Sequence, residues 1–174
     1  MNNISVALNQ IETSSDLLED CINKLTLTHN QLIDLIKQLP HSALSWQPLI
    51  NTPNIGTLLL HIAYSEALWS GQTLNQEARQ YLWDDTKPNN LSFAPNKSLN
   101  WYLDLLETIN YHTLEKIKHL SSASYLSIKT LEGVSKDYPV NWVIWHLISH
   151  KSHHQGQVEL LKNWHKQAYS PVYA

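Results

Sequence analysis

One cysteine, four glycines and one arginine stand among 174 residues. Cys21 alone cannot close an internal disulfide or build a thiolate zinc knuckle. So few glycines are too few for the tight turns of an all-β fold. With Arg79 the lone arginine, no run of basic residues and a net charge of −3, the chain has no basic face for nucleic acid. No apolar run reaches the roughly 18 residues of a membrane span. The opening "MNNISVALNQIETSSD" lacks the basic and apolar regions of a signal peptide, so a cytoplasmic location is expected. There is no HExxH, no Glu-x-x-His pair, no glycine-rich phosphate loop and no nucleophile elbow. These gaps argue against a zincin, a carboxylate-bridged di-iron bundle, a P-loop enzyme and a serine hydrolase.

What is present is helical. Hydrophobic residues make up 43% of the chain, ordinary for a globular protein, and the length suits one domain over 1–174. Leu17, Leu18, Cys21, Ile22, Leu25, Leu32, Ile33 and Ile36 recur at spacings of three and four, which predicts a helix over about 4–39, stopped by Pro40. A loop with Pro48 and Pro53 follows. Asn54 is a fitting N-cap for a second helix over 54–76. Ser98 can cap a third over 98–121, with Leu99, Tyr102, Leu103, Leu106, Ile109, Thr113, Ile117 and Leu120 on one face. After a polar connection, a fourth runs past Pro139 over 140–165, and the tail "KQAYSPVYA" reads as irregular. Four long helices with no strand signal predict an all-α four-helix bundle, a fold that often builds metal sites between facing helices.

Four of the ten histidines fall in nine residues, at His146, His150, His153 and His154. On a helix they lie within an arc of about 100°. Residues four apart are surface neighbours, so 146/150 and 150/154 can each converge on one cation, as can 150/153. His146 and His154 are about 12 Å apart along the axis and cannot both belong to one compact pair. His150 belongs to every pair. A catalytic metal site needs about three protein ligands and an open position, so a third ligand should come from another helix. His61 sits among Leu58, Ile62 and Ser65, on the inward face of the second helix, where a neutral imidazole needs a partner. A nitrogen-rich set suits Zn, Ni, Cu or Fe better than Mg or Ca. A lone inward histidine is more often a hydrogen-bonded core residue; the cluster opposite is what gives His61 a second meaning. His29, His112, His119 and His165 lack such neighbours and read as structural or surface groups, and His41 opens a loop.

Two segments resemble the DinB/YfiT-like superfamily, a group of candidate metalloenzymes. "LSWQPLINTPNIGTLLLHIAYSEALW" is similar to its Trp-x-Pro loop followed by a helix with one inward His. "WVIWHLISHKSHHQGQVELL" is similar to its last helix, which reads H-x-x-x-H-x-x-x-H-R-G-Q. The resemblance implies an up-down-down-up bundle, often a homodimer. It implies a divalent metal, Zn or Ni, on His61, His150 and His154, leaving His146 as a neighbouring polar group. The family's Arg is Gln155 here, and His153 is an additional candidate ligand. Gly156 is expected to admit a closely packed helix, and Gln157 to hydrogen-bond near the site.

The implied activity is that of a metal-dependent transferase, foremost a thiol-dependent S-transferase using a low-molecular-weight thiol and a small-molecule substrate. His146 and His153 are candidate proton carriers, and Trp46, Trp69, Trp142 and Trp145 candidate pocket walls. A metal-dependent hydrolase is one alternative, since the same open position can activate water. A non-enzymatic, stress-related metal-binding or dimerisation module is the other, with the metal serving stability.

Overall fold

The computed structural model describes residues 2–50, 52–72, 97–125, 128–130 and 137–170. Four long helices dominate them: α1 (Asn2–Ile36), α3 (Ile55–Trp69), α4 (Leu99–Lys118) and α6 (Val140–Tyr169). Two single-turn helices, α2 (His41–Ser45) and α5 (Ser122–Tyr125), and two three-residue strands, β1 (Ile128–Thr130) and β2 (Asp137–Pro139), lie between them. The strands pair antiparallel, Lys129 opposite Tyr138. Neither α2 nor the strand pair is foreseen by the sequence reading. Elements of three to five residues are too short to show a period.

The helix ends follow local chemistry. The side chain of Asn54 accepts the backbone N–H of Thr57 at 2.8 Å, and Ser98 accepts that of Trp101 at 3.3 Å. Both are the expected N-caps. At its other end α3 stops at Trp69, well before the expected residue 76. Gly71 adopts φ 66°, the backbone N–H of Gln72 returns to Ala67 O at 2.7 Å, and that of Gly71 to Leu68 O at 3.0 Å. This is a Schellman ending, and the left-handed residue in it is a glycine. Residues 73–76 lie outside the described segments. The last helix overruns its expected end and takes the start of the tail to Tyr169.

Side-chain contacts fix the directions. Lys151 of α6 reaches both Glu66 of α3 and Asn110 of α4. Six residues on from Asn110, Lys116 of α4 bonds the carbonyl of Ser70, four residues on from Glu66 at the end of α3, so α3 and α4 are parallel. His61 meets His150 while Trp69 meets His146, so α6 runs against α3. His29 of α1 meets Glu107 of α4, and Lys162 of α6 meets Leu35 O of α1. The bundle is therefore up-down-down-up. The core is apolar along Leu25, Leu32 and Ile36 of α1, Ile55, Leu59 and Ile62 of α3, Tyr102, Leu106 and Ile109 of α4, and Ile144, Leu147 and Val158 of α6. Burial of such side chains is worth roughly 1.5–3 kcal/mol each before entropy is counted. Among the described residues, no helix is long and apolar enough to cross a membrane.

Candidate metal centre

α3 and α6 face each other antiparallel, which sets residue 61 opposite residues 150 and 154. His61 projects beside the buried stripe of Leu58 and Ile62, while His150 and His154 meet edge to face one turn apart on α6. The Nε2 atoms of His61 and His150 are 3.1 Å apart, and those of His150 and His154 are 3.2 Å apart. One ligating atom from each residue lies within 4.8 Å of the other two. Three nitrogens about 2.0–2.1 Å from a tetrahedral zinc would stand about 3.3 Å from one another. The three-histidine group fits a divalent metal.

Protonation supports the fit. Burial, reinforced by the neighbouring histidines, pushes His150 down to about 3. Burial also lowers His154, partly offset by its hydrogen bond to Gln157. Both imidazoles are neutral at pH 7, the form that ligates. The Nδ1–H of His154 donates to Gln157 Oε1 at 2.6 Å, so its Nε2 carries the lone pair. His150 Nε2 then faces two nitrogens but carries either one proton or one lone pair. It can serve one neighbour fully with a hydrogen bond, whereas a cation serves all three lone pairs at once. All three histidines are half-buried, which keeps the group open to solvent on one side.

The other sequence candidates separate. His146 is a neighbour of the group: it stacks on Trp142 with centroids 5.0 Å apart, touches Trp69 at 4.6 Å and lies 5.6 Å from His150. Burial lowers its pKa as well. His153 is exposed, packs edge-on against His154 and stands outside the three-nitrogen group. Trp69 and Trp142, with Tyr138, form an aromatic wall running up to His146. Trp46 and Trp145 do not join it. Trp46 packs against His165, and Trp145 lies under the ammonium of Lys24. Gly156 is exposed, and a Cβ there would meet nothing within 4 Å, so it is not a close-packing residue. His41 begins α2 rather than a loop. Cys21 is buried against Tyr125, where burial raises its thiol pKa and keeps it protonated.

Behind the histidines lies a feature absent from the sequence reading. Lys151 and Glu66 are both buried, with Nζ 2.9 Å from Oε2. The contact is close enough for an ion pair but poorly directed, and neither Glu66 oxygen makes a hydrogen bond among the described residues. Lys151 donates instead to Asn110 Oδ1 at 3.1 Å. The signal was in the spacing: Ile144, Leu147, Lys151 and Val158 share a stripe, as do Ile55, Leu59, Ile62 and Glu66.

The DinB family model matches residues 13–162. A DinB-like protein from Bacillus cereus shares the fold with a TM-score of 0.62 at 18% identity, over 89% of this chain and 97% of that one. A conserved protein from Enterococcus faecalis aligns with a TM-score of 0.67 at 11% identity, over 83% of this chain and 94% of that one. No curated protein matches. The chain belongs to the DinB family.

Proposed function

We propose that this chain is a divalent-metal-dependent transferase that activates the thiol of a small molecule, with zinc or nickel held by His61, His150 and His154. The carrying observation is the convergence of three imidazole nitrogens across the α3–α6 interface. A divalent cation with three neutral ligands keeps its full charge and stabilises a bound thiolate over the thiol at neutral pH. The protein's part is to hold and screen that position. Gln157 fixes the tautomer of His154. Trp69 and Trp142 close one side and keep His146 at the rim of the group. His146, neutral at pH 7, is better placed than the exposed His153 to take the thiol proton. The reading includes a homodimer and a cytoplasmic location, the compartment that keeps small thiols reduced.

The test is elemental analysis of the untagged protein, its His61→Ala variant and its His150→Ala variant, followed by cobalt substitution. About one metal per chain, lost in both variants, is expected. Adding cysteine to the cobalt form should raise a sulfur-to-cobalt charge-transfer band. Absence of metal after reconstitution would sink the reading. The same histidines tie α3 to α6, and that link favours a second reading, a metal-stabilised bundle without catalysis. Under it chelation still lowers Tm, while cysteine leaves the cobalt spectrum unchanged.

A further inference from the structure

Trp69 has a second neighbourhood. Besides touching His146 it lines a cavity of about 280 Å³ between the C-terminal ends of α3 and α4 and the first turns of α6. Among the described residues no histidine lines it, so the hollow is distinct from the metal centre. Its floor is Ile117, Val143, Ile144 and Leu147, all buried.

The hydroxyls facing it are already committed. Ser70 Oγ donates to Ala67 O at 3.3 Å and accepts from Gln72 Nε2 at 2.7 Å. Thr113 Oγ1 donates to Ile109 O at 2.9 Å and accepts from the same amide at 2.8 Å. The interior therefore offers hydrocarbon, and an apolar hollow without an occupant forfeits dispersion contacts along its lining. At about 30 Å³ for each water-sized unit, the space takes about nine heavy atoms.

The edge is different. Lys116 is exposed at the surface and contributes to the lining. Its Nζ donates to Gly71 O at 2.7 Å and Ser70 O at 3.1 Å. A cation on the last carbonyls of α3 is a favourable helix ending in its own right. Those two bonds hold the ammonium at the end of α3, where Ser70 also lines the hollow, and among the described residues one of its three N–H groups is left for an acceptor. An apolar floor with one fixed cation at the edge is complementary to an amphiphile bearing a single negative charge.

We infer that this cavity binds a medium-chain monocarboxylate, with an unbranched tail on Ile117, Val143, Ile144 and Leu147 and the carboxylate on Lys116. The assignment stands apart from the thiol chemistry and does not depend on it. Octanoate is the probe and 1-octanol its neutral counterpart, titrated calorimetrically into the full-length, metal-loaded protein. One saturable octanoate site per chain is expected. Lys116→Met should weaken octanoate about tenfold and leave octanol unchanged. Val143→Phe, which fills the floor, should abolish binding of both. Leu120→Trp on the half-buried part of the lining does the same by another route if the floor variant fails to fold. Circular dichroism and metal content verify each variant. No saturable octanoate binding, octanoate binding no weaker in Lys116→Met, or binding that survives both filling variants would overturn the assignment.

Discussion

Gln157 accepts the Nδ1–H of His154 at 2.6 Å, three residues along the same helix. That contact fixes which nitrogen of His154 faces His61 and His150. Outer partners of this kind typically contribute 10–100-fold to metal affinity. Gln157→Leu should therefore weaken zinc binding by about tenfold or more while leaving the helix content intact. Competition against a chromophoric chelator measures it. Unchanged affinity would mean that the ring is oriented without the glutamine.

Lys151 and Glu66 make the second relationship worth testing, because each side chain is only 2% exposed. Removing one partner strands the other charge in the core, at a cost of about 3–5 kcal/mol. Lys151→Met and Glu66→Leu should each destabilise by about that much in urea unfolding. The double variant should recover most of the loss, because hydrophobic replacements of a buried pair are often neutral or stabilising. Additive losses would show that the two charges do not depend on each other.

The fold was legible because its four long helices repeat apolar residues at three and four over many turns, and because Asn54 and Ser98 are strong caps. The histidine group was legible for the same reason, as His150 and His154 share an arc and His61 faces inward on a helix of its own. The chain's departures come from contacts with no period. Which residue of α4 lies opposite Lys151 depends on the packing of three helices, so Asn110 could not be named. Trp46 and Trp145 looked like Trp69 and Trp142 in composition, but Trp145, though next to His146 on α6, meets Lys24 of α1, Trp46 meets His165, and only Trp69 and Trp142 set their rings against His146. The early stop of α3 needed the left-handed Gly71, a single residue that leaves no mark on a periodic pattern.

Acid should unfold the metal-free protein early. Burial, then the charge of Lys151, holds the pKa of His29 below its ordinary value despite the hydrogen bond it donates to Glu107. His150 is depressed to about 3. In the unfolded chain both titrate near the ordinary histidine value of about 6.5. As pH falls below that value the unfolded state takes up protons that the folded state refuses, so stability is full above it and is lost progressively below. Urea midpoints measured in chelator from pH 8 to 5 should drop across this window. His29→Asn should flatten the slope, by at most about 1.4 kcal/mol per pH unit for one proton. A slope unchanged in that variant would remove His29 from the account.

Gly156 offers a test of what meets the outer side of α6. On the single chain its missing side chain serves no neighbour, since a Cβ would find nothing within 4 Å. A glycine inside an exposed helix costs about 0.5–1 kcal/mol relative to alanine. Gly156→Ala should thus raise stability by about that amount and leave zinc affinity unchanged, as read by thermal melts and chelator competition. A second copy packed closely against this turn would reverse the sign, because the added methyl would meet the partner's backbone. Melting of the variant and the parent across a wide range of protein concentration separates the two. A gain independent of concentration places any homodimer contact elsewhere. A loss seen at high concentration that shrinks as the protein is diluted puts the contact on this turn of α6.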